Sequence, residues 1–183
     1  PTQYIFEKLV GGAFQGELVR LTLLDLTRMG FTLNGKLTSE LKQKDSISTA
    51  DMSAIEAEAY RISSGTADEP NQEAVKVLKR LGYLENQFGP DDIATLVYLC
   101  ELITVRAALF NSIALSAFVD YISESREGPI KFGCDGSYFK KHPKMSTLIN
   151  SFLKALSPQR ESEVFLADQG SGVGAAVLAT CYD

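Results

Sequence analysis

IKFGCDGSYFKKHP (130–143) and EVFLADQGSGVGAA (163–176) decide the fold. Each begins as a short run of β-branched and aromatic residues and ends in a turn of Gly and Ser. Ile130 to Asp135 and Glu163 to Ala167 read as strands, with a helix from Pro143 to Leu156 between them and a second helix opening at Ala175. A strand–helix–strand–helix run of this length makes the two strands parallel neighbours in an α/β architecture. Two strands do not complete a central sheet, so the rest of that sheet is expected from chain outside this sequence.

Upstream the pattern is helical. Phe6, Leu9, Val10, Phe14, Leu18, Leu21 and Leu24 recur at steps of three and four, interrupted by Gly11-Gly12 and Gly16. Three glycines within six residues mark either a close approach by a backbone or ligand, or a loop between a short helix and a longer one. Gly30 stands where a helix from Glu17 would stop. Thr38 to Leu41 reads as a short helix capped by Thr38, and Ser48-Thr49-Ala50-Asp51 opens another that carries Ile55. Ser63 to Asn71 is a polar turn. Gln72 to Leu81 is amphipathic, with Val75, Leu78 and Leu81 on one face and Gly82 as its stop. From Gly89-Pro90-Asp91-Asp92, with acidic residues at the positive end, a helix of about 30 residues keeps a wide apolar stripe, the pattern of a central helix.

Composition narrows the class. The chain has 183 residues, 45% hydrophobic and 22% charged, which fits one globular core. Its 18 basic and 23 acidic residues give a net charge of −5, so no global field draws nucleic acid or anionic lipid. The uncharged stretch Ala107 to Val119 falls short of the ~20 residues a membrane span needs. No leader is visible, and Cys100, Cys134 and Cys181 form no C-x-x-C pair, so a reducing, cytoplasmic home is expected. The chain opens at Pro1 without an initiator Met and ends at Asp183 within a helical run. Both features carry the expectation of a fragment of a longer polypeptide.

The chemistry-bearing candidates lie at the turns. Glycine-rich turns at the carboxyl ends of adjacent parallel strands aim backbone N–H groups at an anion, and they also occur as plain β-to-α connections. Gly170, Gly172 and Ala175 satisfy G-x-G-x-x-A, but the further strand and acidic residue of a dinucleotide fold do not follow, and no G-K-[ST] loop exists. His142, the single histidine, stands before Pro143 as a turn-bonding imidazole rather than a catalytic base. Lys140 and Lys141 beside it are either a phosphate-facing pair or a solvated one. Glu7-Lys8 is either an exposed helical pair or, at Glu7, a carboxylate able to accept hydroxyl hydrogen bonds.

FEKLVGG (6–12) followed by GELVRL (16–21), TADMSAIE (49–56), VRAAL (105–109), GCDGSYFKKHP (133–143) and GSGVGAA (170–176) resemble, in order and across the whole chain, the hexokinase family. The resemblance implies a mostly helical α/β chain: the C-terminal part of the large subdomain, on the ribonuclease H-like, actin-like ATPase fold, with one long central helix and two adjacent parallel strands. The family transfers the γ-phosphoryl of Mg-ATP to the 6-hydroxyl of glucose or a related hexose, the first step of glycolysis. By that likeness Glu7 binds sugar hydroxyls, Gly12 and Ala13 lie by the nucleotide, and Thr49 through Ser53 lean on its ribose or phosphates. Asp135, Gly136, Ser137, Lys140 and Lys141 would wrap the α-phosphate and ribose, and Ser171 and Gly172 would close over the adenine side. ATP or ADP with Mg2+ is the implied nucleotide, with no metal ligand from this chain. The catalytic Asp and the small lobe are expected upstream, so residues 1–183 alone are expected to be inactive. Three departures stand out: Tyr4 where the family has Gln, Ala13 where it has Lys or Met, and Val173 where it has a basic residue. The alternative implied is a catalytically inactive, hexokinase-like sugar sensor or regulatory domain.

Overall fold

The computed structural model describes residues 3–65, 71–125, 127–167 and 170–181, except for the side chains of Ser171 and Cys181. The chain divides into two compact units, Pro1–Ala107 and Ala108–Asp183.

The first unit is helical. α1 (Ile5–Val10) and α2 (Gly12–Arg28) meet at Gly11, whose extended backbone separates them. The loop between a short and a long helix is thus real, but it is a single residue, and α2 begins at Gly12 rather than Glu17. At the far end the N–H of Gly30 reaches the carbonyl of Thr27 and that of Phe31 reaches Leu26, both at 3.0 Å, a Schellman closure. α3 (Ser39–Lys42) is capped by the Thr38 hydroxyl, which accepts from the Leu41 N–H at 3.1 Å. α4 (Thr49–Ser63) opens on a capping box of Ser48 and Asp51. Of the polar turn at 63–71, residues 66–70 lie outside the described chain. α5 (Gln72–Arg80) buries Leu78, and Leu81 just after it, as expected, together with Ala74 and Val77, while Val75 is only partly covered.

α2 departs more sharply. The expected apolar positions Phe14 and Leu21 are exposed, whereas Gln15, Gly16, Val19, Arg20, Leu23, Leu24 and Thr27 are buried. A polar inner face is costly wherever a group lacks a partner, and most of these groups find one. Arg20 forks onto Glu17 at 2.6 and 2.7 Å and donates to the Leu41 carbonyl at 2.8 Å, while Thr27 donates to the Leu23 carbonyl at 2.7 Å. The core closes over this face with Leu41, Ile47, Met52, Ile55, Leu78 and Leu96.

α6 (Pro90–Ser123) gives its first half to this core through Leu96, Leu99, Cys100 and Ile103. Its Asp92 is more than a dipole partner: the carboxylate accepts from the N–H groups of Gly89 (2.9 Å) and Leu33 (2.6 Å) and from the Thr32 hydroxyl (2.7 Å). It thereby holds Leu33, buried at a left-handed φ of 53°, in a conformation a branched side chain resists. The 13-residue measure of apolar length understates this helix. An 18-residue window has mean hydropathy 1.8 and is 39% buried, enough by length and composition alone to cross a membrane. Core helices meet the same test, and Leu96 and Cys100 are fully buried in the core of the first unit.

In the second unit β1 (Ile130–Cys134) and β2 (Ser162–Leu166) pair in parallel, with Phe132 opposite Val164. α7 (Ser137–Lys141) is a one-turn helix where only a turn was expected; α8 (Met145–Leu156) follows. Asn150 on α8 accepts from the Val164 N–H at 2.8 Å and donates to its carbonyl at 2.9 Å, the pair of bonds a further strand would make. α9 (Gly170–Cys181) starts five residues earlier than expected, so Gly170 and Gly172 lie in its first turn and Gly174 just beyond it. A helical glycine costs about 1 kcal/mol of backbone entropy but removes no N–H, so a glycine run weakens the start of a helix without forbidding it.

Five carboxylates of the first unit are held below their ordinary values, and three of them, Glu17, Asp51 and Asp92, are also partly buried. For Asp51 burial opposes the charge, but the Arg80 guanidinium and the Ser48 hydroxyl and N–H outweigh it. Donors around Asp92 do the same against burial, and at Glu17 the Arg20 fork leads. A depressed carboxylate stabilises above its unfolded value and loses that contribution as pH falls through its folded one. Stability in urea should therefore be flat near pH 7 and decline once pH drops below about 4. Asp51→Asn should remove about 1 kcal/mol at pH 7, the Arg80 side being solvent-screened, and shrink that decline. An unaltered acid limb in Asp51→Asn would contradict it.

Candidate functional site: a hydroxyl-bridged cavity and two glycine turns

In the first unit α2 and α4 cross so closely that a Cβ on Gly16 would lie 2.4 Å from the Ser48 carbonyl carbon, 2.5 Å from the Ile47 oxygen and 2.6 Å from the Thr49 nitrogen. Close approach by a backbone is therefore what Gly16 serves. The Thr49 hydroxyl completes the crossing. It accepts from the Gly16 N–H at 3.1 Å and donates to the Gly12 carbonyl in a very short bond. These are the two groups a regular α-helix would pair directly, so the hydroxyl bridges the first turn of α2. A cavity of about 280 Å³ sits against this joint, lined by Gly12, Ala13, Gly16, Glu17, Asp45, Ile47, Ser48 and Thr49.

Three of the expected nucleotide residues, Gly12, Ala13 and Thr49, thus share one cavity. Ser53 does not line it; its hydroxyl donates back to the Thr49 carbonyl at 3.1 Å. The one hydroxyl proton of Thr49 is committed to Gly12, which leaves the group only acceptor capacity towards a ligand. Sequence reasoning missed Glu17 and Asp45. Glu17 is tied to Arg20 and accepts from the Asp45 N–H at 2.8 Å. The GELVR run carries the Glu17–Arg20 spacing, but nothing local announces Asp45. Glu7 lies on the exposed surface of α1, and Gly11 donates to its backbone carbonyl at 2.6 Å.

In the second unit the two glycine turns lie side by side at the carboxyl ends of β1 and β2. The Ala167 N–H donates to the Cys134 carbonyl at 2.9 Å, and a Cβ on Gly170 would meet those of Ala167 at 3.1 Å and Asp135 at 4.0 Å. Gly136, at φ 148°, holds a backbone shape that a side chain would strain, and turns Ser137 into α7. Asp135, Gly136, Ser137, Lys140, Lys141 and Gly172 are all exposed here, and around the Gly172 Cβ position the space is open. The donor set is one of main-chain N–H groups at the start of a twelve-residue helix, while Lys140 and Lys141 stand on α7 after the other turn, and main-chain donors of this kind suit a phosphate-bearing ligand.

The remaining candidates are structural. His142 is buried, its Nδ1 accepts from the Lys144 N–H at 3.3 Å, and its ring meets Tyr138 edge-on at 5.2 Å, in keeping with a turn-bonding imidazole. Burial, aided by the Glu56, Asp51 and Glu101 charges, pushes the Cys100 thiol well up. Burial and Asp135 raise Cys134. Neither is an activated nucleophile.

A protein-family model described as Hexokinase matches residues 1–181. Hexokinase-1 of Mus musculus is 32% identical over 186 residues, covering 100% of this chain and 18% of the relative; Hexokinase-2 of Equus caballus is 33% identical, with 100% and 19% covered. The chain therefore spans less than a fifth of the length of these curated relatives. Among solved structures, a hexokinase from Schistosoma mansoni complexed with glucose superposes with a TM-score of 0.74 at 23% identity, over 88% of this chain and 34% of that one. The mostly helical arrangement with two parallel strands matches that actin-like ATPase fold.

Proposed function

The chain belongs to the hexokinase family, and from that premise we propose that residues 1–183 are the C-terminal part of the large subdomain of an ATP-dependent hexose kinase. The observation that carries the reading is the pair of glycine turns meeting at the carboxyl ends of β1 and β2, a cradle of main-chain donors for a nucleotide's phosphates.

In this reading Glu7 accepts hydrogen bonds from hexose hydroxyls. Asp135, Gly136, Ser137, Lys140 and Lys141 attend the α-phosphate and ribose, and Ser171 and Gly172 the adenine side. Mg2+ arrives on the phosphates of ATP, its usual mode of binding. Gly12 and Ala13 line the cavity, where the Asp45 carboxylate favours hydroxyl donors over phosphate. Thr49 acts from the frame by fixing the first turn of α2, and Ser53 stands one turn behind it. The γ-phosphoryl passes to the hexose 6-hydroxyl with a base and closing lobe from the remainder of the enzyme. A reducing, cytoplasmic setting goes with this reading, supported by the free thiols of Cys100 and Cys134.

The test is a coupled assay of the complete polypeptide with glucose, fructose and mannose, beside residues 1–183 alone. Turnover by the first and none by the second is expected. Glu7→Gln should lower kcat/KM for hexose about 10- to 100-fold, the worth of hydrogen bonds to a charged acceptor. Absence of turnover on every hexose, with sugar still bound, would replace the kinase by the sensor reading.

A further inference from the structure

Glu7 sits on a helix that little packing holds, with only Leu9 and Val10 partly covered. α1 has six residues, none of them buried. Its carboxyl end is held instead by polar contacts. The carbonyl of Leu9, one of the groups a helix end leaves without an intrahelical donor, is met from two other helices. Gln15 on α2 donates its Nε2 to Leu9 at 3.3 Å and to the Gly11 carbonyl at 3.0 Å. Arg106 on α6 donates Nη1 to the same Leu9 carbonyl at 3.2 Å.

Gln15 is a costly residue for this place. Its side chain is fully buried, and because both partners are carbonyls the amide nitrogen must face them. That orientation leaves Oε1 buried with no partner. A methionine of similar volume would fill the same space without stranding a polar atom. What Gln15 provides that methionine does not is the pair of bonds across the α1–α2 joint. Both bonds land within four residues of Glu7, and the Gly11 N–H closes the loop by donating to the Glu7 carbonyl at 2.6 Å.

We infer that Gln15, together with Arg106, is a positioning pair that sets the Glu7 carboxylate for its hexose by clamping the Leu9 carbonyl. The inference rests on the reading that Glu7 is a hexose ligand. Gln15 touches no substrate; it fixes the angle at which α1 leaves the core, and with it the place of the carboxylate.

The test is a double-mutant cycle in the complete polypeptide, with Glu7→Gln, Gln15→Met and the pair, read as KM for hexose and for ATP. Gln15→Met is expected to raise the hexose KM about tenfold and leave the ATP KM within about twofold. In the Glu7→Gln background it should add less than about twofold, since the carboxylate it positions is gone. A full tenfold effect in that background, or equal rises in both KM values, marks Gln15 as a general structural residue and overturns the inference. A silent Gln15→Met beside an impaired Glu7→Gln overturns the inference and leaves the Glu7 reading standing. A silent Glu7→Gln removes both. Should Gln15→Met not fold, Gln15→Asn keeps the amide but draws it back by one methylene, and carries the same expectations.

Discussion

Gly16→Ala is expected to destabilise the protein by about 3 kcal/mol and lower its melting temperature by about 6–12 °C. The added methyl has nowhere to go. All three atoms it would meet, at 2.4–2.6 Å, are main-chain atoms of Ile47, Ser48 and Thr49, which cannot swing aside as a side-chain tip would. Relief requires α4 to back away from α2, and that movement stretches the Thr49 bond to the Gly16 N–H as well. Urea and thermal denaturation of the variant measure the effect. A midpoint within experimental scatter of the parent would mean that α2 and α4 do not cross at this residue.

Thr49→Val is the second large effect, expected at about 2–3 kcal/mol. Valine keeps the shape and removes the hydroxyl, leaving the Gly12 carbonyl and the Gly16 N–H without the group that joins them. Thr49→Ser keeps the bridge and should restore most of the loss. The comparison separates two roles for one residue. A direct ligand would show a raised KM for ATP with unchanged stability in Thr49→Val. A frame residue shows the reverse order, with stability lost first and nucleotide affinity falling as the cavity wall deforms. Denaturant midpoints beside ATP titrations distinguish them.

These two residues also mark where reading the sequence succeeds and where it stops. Signals confined to a few adjacent residues are legible: the Thr38 cap, the Ser48–Asp51 box, the stop at Gly82 and the strand-to-turn runs after Ile130 and Glu163. The glycines at 11 and 16 are legible as a disturbance, though not as one extended residue and one helix crossing. The inner face of α2 is not legible, because its buried positions include Gln15, Arg20 and Thr27. Arg20 is made tolerable there partly by the carbonyl of Leu41, 21 residues on, which no local period encodes. The candidate nucleotide residues are legible as residue types at turns, but Asp45 in the cavity wall and the commitment of the Thr49 proton follow only from how the helices cross. The start of α9 is not legible, because three glycines within five residues read as a turn, whereas each costs a helix only about 1 kcal/mol and removes no hydrogen bond from it.

The Asp92 carboxylate bears on the order in which the chain assembles. Leu33 holds its left-handed backbone with an N–H bonded to a residue 59 positions later, and Thr32 reaches the same carboxylate across 60. While a ribosome is still extending the segment before Pro90, that corner has no clasp. The first unit is thus a late-locking module: its early helices can form as they emerge, but the corner at 32–33 is secured only when the start of α6 has left the exit tunnel.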